Sequence, residues 1–510
     1  MSYNLSSQQS AIINWVKTGT GSLEVKARAG CGKTTLLIEV VKTISQNNLG
    51  DVALMAYNKS IGDELKSKIT NLGIDWKVAT AGTVHSYGFS AWKKAAPKVE
   101  IDSDKVKKII KSQYHEYFAP ILKDQASLIG KCVSLSKQRA FGYLENIEND
   151  TAWEDLFTHF DLESDLEGDY QPSQIINAAK KILRMSFDMD KTVIDFDDMI
   201  LAPLVHKARF FKKDWILVDE SQDTNAARRA LALTLLKPNG RMVSVGDDAQ
   251  AIYGFTGADS DSMQQLRDAT NAISLPLTLT YRCPKAIVAE ANKFVPDLIA
   301  HESATEGSIR SITYEAMNNE VFTADDVILC RNVAPLVSTA LNLLGRGIAC
   351  QVEGRDIAAS LIKLSQRFDV TDLNELSEAL DSFLTVEVAR LTAKEMTGLV
   401  AVLTDQVDCL KVIMDRCRSQ GNHTLQCLSS TIMSMFGDSD KNVKKVLTLS
   451  SIHRSKGREW KRVFALGRHT LIPSKYARLP WQLTQENNLE YVMVTRVQQE
   501  LIDIAMPAKE

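Results

Sequence analysis

Short apolar runs that alternate with helix-period stretches predict an α/β fold, with two parallel-sheet domains in tandem and a mainly helical insertion in each. Three observations carry this expectation. A strand–turn–helix unit opens the chain at Leu23–Lys42, with glycines in its turn. A second strand, Trp215–Val218, ends in the adjacent acids Asp219 and Glu220. Strand-like runs then resume after each of two long stretches with helical periodicity.

In chain order, Leu23–Ala27 is a short apolar strand and Thr35–Lys42 has the apolar spacing of a helix. Asp51–Tyr57 and a helix through Ile69 repeat that unit. From about Trp92 to Lys191 the chain is charged and helix-favouring, with lysines clustered at Lys105–Lys111 and acids at Asp161–Asp169. Strands return at Trp215–Val218 and Met242–Val245. Beyond a proline-bearing segment around Leu275–Pro284 they recur at Val327–Cys330, Val446–Leu449, Val463–Leu466 and Leu501–Ala505, with helical periodicity between Arg355 and Lys445. The expected division is a first domain at 1–90 and 191–275 with an insertion at 91–190. A second domain at 276–355 and 445–510 carries a shorter insertion at 356–444.

The 510 residues leave room for about two to four domains. Composition is that of an ordinary water-soluble chain, 45% hydrophobic and 24% charged, and no apolar run reaches the roughly eighteen residues of a membrane span. The start, MSYNLSSQQS, has neither the basic nor the apolar region of a secretory signal. Eight cysteines without a C-x-x-C pair suit reduced thiols. A cytoplasmic protein is expected, nucleoid-associated or in a host cytoplasm if phage-encoded. Cys409, Cys417, His423 and Cys427 have spacings too long for a zinc knuckle, so buried thiols and no structural metal are expected there. With a net charge of −3, any nucleic-acid contact must come from a local groove.

The segment Val25–Thr35, VKARAGCGKTT, places Ala29, Gly30, Cys31, Gly32, Lys33, Thr34 and Thr35 between a strand and a helix. A triphosphate needs such a turn: inward backbone N–H groups, a helix N-terminus, a lysine for the β/γ-phosphates and a hydroxyl for Mg²⁺. Ala27 stands where the usual pattern has its first glycine. In Trp215–Asp223, WILVDESQD, Asp219 and Glu220 emerge at the carboxyl end of a buried strand, where open α/β sheets bind ligands. Asp219 would help Thr34 hold Mg²⁺ and Glu220 would polarise the attacking water. A third strand end, VSVGDDAQ, puts Gln250 where its amide can sense a γ-phosphate.

Together DESQDTN, GDDAQAIYGFTGA and LTYRCP resemble the superfamily 1 DNA helicases of the UvrD/Rep type. Further motifs fall in order between Gln9 and Arg496: LSSQQ, AYNKS at Ala56–Ser60, GTVHS at Gly82–Ser86, and VIDFDDMIL at Val193–Leu201. LCRNVAPL at Leu329–Leu336, TLSSIHRSKGREW at Thr448–Trp460 and ENNLEYVMVTR at Glu486–Arg496 complete the series. Three departures are visible. Thr256 stands in FTGA where the family usually has arginine, Thr35 follows GKT where many relatives have arginine, and Val497 replaces the alanine of TRA.

The resemblance implies two RecA-like P-loop domains that close around one Mg²⁺–ATP. Catalysis would fall to Lys33, Thr34, Asp219, Glu220, Gln250, Arg282 and Arg496, the two arginines serving the γ-phosphate. Gln9 would read the adenine edge, Tyr281 would stack on the base and Glu459 would meet the sugar. Tyr57, Asn58, His85, Tyr253, Phe255, His453 and Lys456 match strand-contact positions. Arg454, Lys456, Arg458, Lys461 and Arg462 form the densest basic run near any motif, and Lys456 is its best phosphate contact. The partners implied are ATP, single-stranded DNA and its junctions with duplex; no membrane is implied, and a loading, replication or repair partner is left open. The expected activity is ATP-dependent 3′→5′ movement on DNA with unwinding, the polarity resting on the DExQDTN, GDDxQxIYGF and YVxVTR forms. The alternatives are a translocase that strips proteins from single strands and a nucleotide-gated DNA-sensing subunit. The second insertion is shorter than the duplex-gripping domain of larger relatives, and the chain after Arg496 is too short for a fused nuclease.

Overall fold

The computed structural model describes residues 5–114, 119–160, 162, 166, 168–253, 261–393, 397–437 and 446–506. The chain divides into two compact units, Met1–Leu279 and Thr280–Glu510.

In the first unit the sheet strands are β1 (Leu23–Ala27), β2 (Val52–Ala56), β3 (Ala79–Thr83), β4 (Lys213–Val218), β5 (Leu236–Gly246) and β6 (Ile273–Leu277). Among the described residues they lie in the order β3-β2-β4-β5-β1-β6, each paired parallel to its neighbour. A parallel sheet is covered on both faces, and all five residues of β2 are accordingly buried. Register does the functional work. Val25 lies beside Val245, and Leu217 beside Val243. The turn after β1, the acids after β4 and the acids after β5 therefore emerge at one edge.

Four helices of this unit matter to the site: α1 (Ser7–Thr18), α2 (Lys33–Gln46), α3 (Lys59–Asn71) and α4 (Val84–Ala95). Beyond α4 the chain leaves through helices Lys105–Ser112, Ala126–Gln138, Asp150–His159 and Pro172–Met189. It returns where Val193–Ile194 pairs parallel with Glu100–Ile101. An apolar cluster joins this insertion to the sheet, running from Met55, Ile216 and Val218 to Ile129, Val133, Trp153 and Ile182.

Buried charge joins them too. Lys105 contacts Asp190 at 2.6 Å and Asp198 at 2.7 Å, while Lys137 contacts Asp195 and Asp198, each at 2.6 Å. All five are buried. Burial works against the Lys137 ammonium, but Asp198 and Asp195 outweigh it and its pKa is raised. The acids belong to the returning segment VIDFDD and the turn before it, so this is how the insertion's helices that carry Lys105 and Lys137 are tied to the first sheet domain.

In the second unit β7 (Ser308–Thr313), β8 (Asp326–Cys330), β9 (Cys350–Glu353), β10 (Phe436–Gly437), β11 (Leu447–Ser451), β12 (Trp460–Leu466) and β13 (Val497–Ala505) form a second parallel sheet. Its order among the described residues is β7-β13-β12-β8-β11-β9-β10. Helices Leu373–Ala393, Thr397–Ser419 and Leu425–Met435 share one apolar cluster with the sheet, including Leu376, Leu410, Ile413 and Leu428 against Ile328, Leu449 and Phe464. Asp405 adds a polar tie. It accepts from the backbone N–H of Val333 at 2.8 Å and of Ala334 at 2.9 Å, filling the open amides at the start of the Val333–Gly345 helix.

The strands expected from apolar runs all form, several with polar residues added at their starts. Within the two large sheets, five others among the described residues, β3, β6, β7, β9 and β10, have no counterpart in the sequence reading. Sheet position accounts for them: β3, β6, β7 and β10 are edges and β9 lies next to one, so they need less apolar character. Of the four residues considered for zinc, Cys409 and Cys417 are buried in the second apolar cluster. Cys417 Sγ lies 3.6 Å from the Thr431 hydroxyl.

Lys137→Met should cost about 3–5 kcal/mol, because it takes the lysine partner from buried Asp195 and leaves Asp198 with Lys105 alone. Lys68→Met, which breaks an exposed pair with Glu64, should leave the urea midpoint unchanged. Equal midpoints for the two variants would contradict a clamping role for the buried cluster.

Candidate functional site

In the first unit the turn after β1 bends through left-handed backbone at Gly30 (φ 71°) and Gly32 (φ 80°), and α2 begins at Lys33. Only glycine takes this geometry cheaply, and it leaves the amides at the start of α2 open to an anion. Gln9, on α1, is fully buried behind the loop. Its Oε1 accepts from Ser6 N at 3.0 Å, while its Nε2 has no partner and lies 3.2 Å from where a Gly32 side chain would start. A purine edge is the kind of acceptor that amide lacks. The preceding residue is structural: Gln8 bonds Thr278 through both ends of its amide, at 2.8 and 2.9 Å, tying α1 to the end of β6.

Lys33 Nζ lies 2.7 Å from Glu220 Oε2. The lysine expected at phosphate and the glutamate expected at water thus neutralise one another. Burial opposes the Lys33 charge, but Glu220, Asp247 and Asp219 more than offset it and raise its pKa. Burial and the Glu220 charge push Asp219 up to about 7. Glu220 itself has φ 48°, an uncommon conformation for a residue with a Cβ, and it aims the side chain back over the site.

Three residues beyond the expected set hold this arrangement. Gln222 Nε2 donates to Glu220 Oε2 at 2.6 Å, and Gln222 Oε1 accepts from Asp247 N at 3.0 Å. Gly246 makes that bridge possible, since a Cβ there would lie 2.6 Å from Gln222 Oε1. Arg28, in the phosphate loop, reaches Asp247 at 3.0 Å and Asp248 at 2.6 Å. Gln250, expected to sense the γ-phosphate, instead donates to Asp247 Oδ2 at 2.7 Å. All of these lie within the recognised motifs, yet only a structure shows which polar residue supports which.

Beside this edge, Tyr57 and Tyr253 stack with centroids 5.9 Å apart and planes 11° apart. The Arg228 guanidinium lies 5.2 Å from the Tyr57 ring, and a notch lined by Tyr57, Val84, His85, Thr224 and Arg228 opens there. Sequence reading missed Arg228, an arginine on an otherwise ordinary helix. Its guanidinium donates to Asp223 O at 3.2 Å, so it touches both the aromatic pair and the acidic motif. Asn58 has a structural role as well: it caps α3, accepting from Ile61 N at 2.9 Å. Phe255 and the FTGA segment lie outside the described residues.

In the second unit Tyr281 is 40% exposed and tilts against His301 at 4.8 Å. Arg282 is ion-paired with Glu459, and its NH1 also donates to Thr495 O at 3.3 Å. Glu459, expected at a sugar, is therefore the counter-ion of a proposed phosphate arginine and also accepts from Gln498 at 2.9 Å. Arg496 is buried and donates to the carbonyls of Val492 at 2.9 Å and Arg458 at 3.2 Å.

The basic run is largely neutralised. Arg454 pairs with Asp356, Arg458 with Glu353 at 2.6 Å, Lys461 with Asp325 at 2.8 Å and Arg462 with Asp326 at 2.6 Å. The remaining member, Lys456, is half-buried beside His453. Burial, with Arg331 and Lys456 nearby, lowers His453 to about 3, and burial with Arg228 lowers His85 to about 4.

Comparison with known proteins gives two matches to family models. Residues 5–271 match the UvrD/REP helicase N-terminal domain, and residues 369–506 match the UvrD-like helicase C-terminal domain. Among relatives, the ATP-dependent DNA helicase Rep of Buchnera aphidicola is 25% identical over 304 residues, 55% of this chain and 43% of that protein. The ATP-dependent DNA helicase PcrA of Staphylococcus epidermidis is 27% identical over 339 residues, 62% of this chain and 44% of that protein. PcrA of Staphylococcus aureus is 27% identical over 296 residues, covering 55% and 38%. The match spans less than half the length of each relative.

The histidine environments give a pH prediction. Both pKa values lie below the ordinary 6.5, so both rings are neutral near neutrality and the unfolded chain takes up protons first. Their stabilisation is complete above about pH 6.5 and is lost as pH falls, toward about 4 for His85 and about 3 for His453. The melting temperature should drop through that window, less steeply in His85→Gln. A His85→Gln curve parallel to wild type would contradict the assignment.

Proposed function

The chain belongs to the UvrD/REP helicase family, and we propose that it is an ATP-hydrolysing motor that moves 3′→5′ along single-stranded DNA and unwinds duplex ahead of it. The observation that carries this reading is the convergence of Lys33, Asp219, Glu220, Gln222 and Asp247 at one sheet edge, with an aromatic–arginine notch beside it.

The residues fit a metal–nucleotide. Asp219 is a buried carboxylate with too little positive charge around it, and among the described residues the Gln9 Nε2 donor meets no acceptor. When Mg²⁺ is bound with ATP it neutralises phosphate charge, and Thr34 and Asp219 are the residues that would hold it. Lys33 then exchanges Glu220 for phosphate oxygens. Glu220, freed from the lysine but still held by Gln222, orients the attacking water. Arg282 and Arg496 serve charge that develops on the γ-phosphate, where a planar, always-charged fork is effective. Tyr281 stacks on the base.

On the DNA side, Tyr57 and Tyr253 offer rings for base stacking, worth about 1–3 kcal/mol per base and indifferent to sequence. Arg228 adds charge, and its bond to Asp223 O gives a physical link from strand to acidic motif. His85, His453 and Lys456 are proposed as further strand contacts, with neutral imidazoles that hydrogen-bond or stack. No helix among the described residues is long and apolar enough to cross a membrane; we place the protein with DNA in the cytoplasm. A second reading, a translocase that strips proteins without robust unwinding, is favoured by one observation. The second insertion's helices are built into the second unit's own core instead of standing apart from it.

Glu220→Gln should retain ATP affinity but lose at least about a hundredfold in kcat, whereas Lys33→Ala should lose nucleotide binding as well. DNA-stimulated turnover near wild type in Glu220→Gln would remove the glutamate from the mechanism. On matched forked duplexes at one salt concentration, unwinding should require a 3′ tail. Preference for a 5′ tail would reverse the polarity, and ATP-driven displacement of bound protein without strand separation would establish the second reading.

A further inference from the structure

The loop His206–Lys213, HKARFFKK, joins the Asp198–Val205 helix to β4 and is not used by the mechanism above. It interleaves basic and aromatic residues and contains no carboxylate. One side is anchored. The His206 ring stacks on Trp92 at 5.1 Å and its Nε2 lies 3.0 Å from Asp190, while Ala208 packs on the small apolar cluster around Trp92, Ala96 and Ile194. Lys213 is taken up by Asp51 at 3.0 Å.

The other side faces solvent. Lys207, Arg209 and Lys212 are exposed, and among the described residues none pairs with a carboxylate. Phe211 is 65% exposed, with Lys94 Nζ 3.4 Å from the centre of its ring. A large exposed ring flanked by four cations, on a loop fixed from behind, is unusual for a chain of net charge −3.

We propose that this face is a second contact surface for single-stranded DNA, distinct from the notch at Tyr57 and Arg228. Phosphates meet Lys94, Lys207, Arg209 and Lys212, and a base stacks on Phe211. A repeating polyanion with flat rings fits better than an acidic peptide, because Phe211 protrudes and offers no pocket for a peptide side chain. The surface is also remote from the notch. The loop enters the amino end of β4, whereas Asp219 follows its carboxyl end, about 20 Å along the strand. Helix α4 connects the two places, with His85 in its first turn and Lys94 in its last.

The inference rests on the reading of the chain as a single-strand DNA motor, and strand length separates the two. Binding is measured for oligothymidines of about 8 and about 40 nucleotides, the shorter within the site size of one groove. Phe211→Ala should weaken binding of the long strand about tenfold and leave the short strand unchanged. Arg209→Gln/Lys212→Gln should lower the log–log salt slope for the long strand by about 1.4, at roughly 0.7 per lost phosphate contact. Unchanged melting temperature and unchanged ATPase with the short strand check that fold and motor survive. Wild-type affinity of both variants for the long strand overturns the surface and leaves the motor reading intact. Wild-type protein that binds neither length overturns both.

Discussion

The first unit depends on one electrostatic constraint: a parallel sheet delivers several carboxylates to one buried edge, and few cations are there to meet them. Asp219, Glu220 and Asp247 gather around Lys33, with Asp223 near Asp219 and Arg28 holding the far side of Asp247. Burial alone would neutralise the acids by protonation. The Lys33–Glu220 pair is the local answer, and it uses the two groups proposed above for separate places in ATP hydrolysis. A divalent cation held by Asp219 would remove the reason for that pairing. On the proposed reading, nucleotide entry and assembly of the catalytic arrangement would be one event, since both would redistribute the same charges.

Support for that edge comes from residues whose chemistry is unremarkable in isolation. Gln222 keeps Glu220 and Asp247 in a fixed relation because an amide can give to one and take from the other. Gly246 contributes only the absence of a side chain. In the second unit, Arg282 and Glu459 hold one another while Arg496 is bound to carbonyls. Both units thus store their charged groups in local partnerships, which keeps buried charge from going unpaired.

Much of this was legible in the sequence, for identifiable reasons. Central strands such as Leu23–Ala27 and Asp326–Cys330 are buried on both faces and read as continuous apolar runs. Edge strands such as Ser308–Thr313, with no buried residue, leave no such trace. The phosphate turn and the strand-end acids were readable because their chemistry fixes residue type and spacing together. Partnerships across the chain were not. Nothing local tells that Glu459 answers Arg282, that Arg228 meets Tyr57, or that the basic run at 454–462 is matched by Asp325, Asp326, Glu353 and Asp356. A charge run looks the same in sequence whether its neighbours in space are water, phosphate or carboxylate.

The short parallel pairing of Glu100–Ile101 with Val193–Ile194 bears on how such a chain is assembled from parts. Paired strands run about 4.8 Å apart, so the whole helical excursion leaves and re-enters the sheet domain through a narrow neck. In topology it is a detachable cassette: a few residues could bridge the gap, and the six parallel strands lie entirely outside it. In electrostatics it is not detachable. Removing it takes away Lys105 and Lys137 and leaves Asp195 and Asp198 without their lysine partners. A lineage or a designer exchanging this module must change the aspartates at its exit along with it. The acids of the returning segment therefore mark the seam at which the insertion and the sheet domain have to be matched in charge.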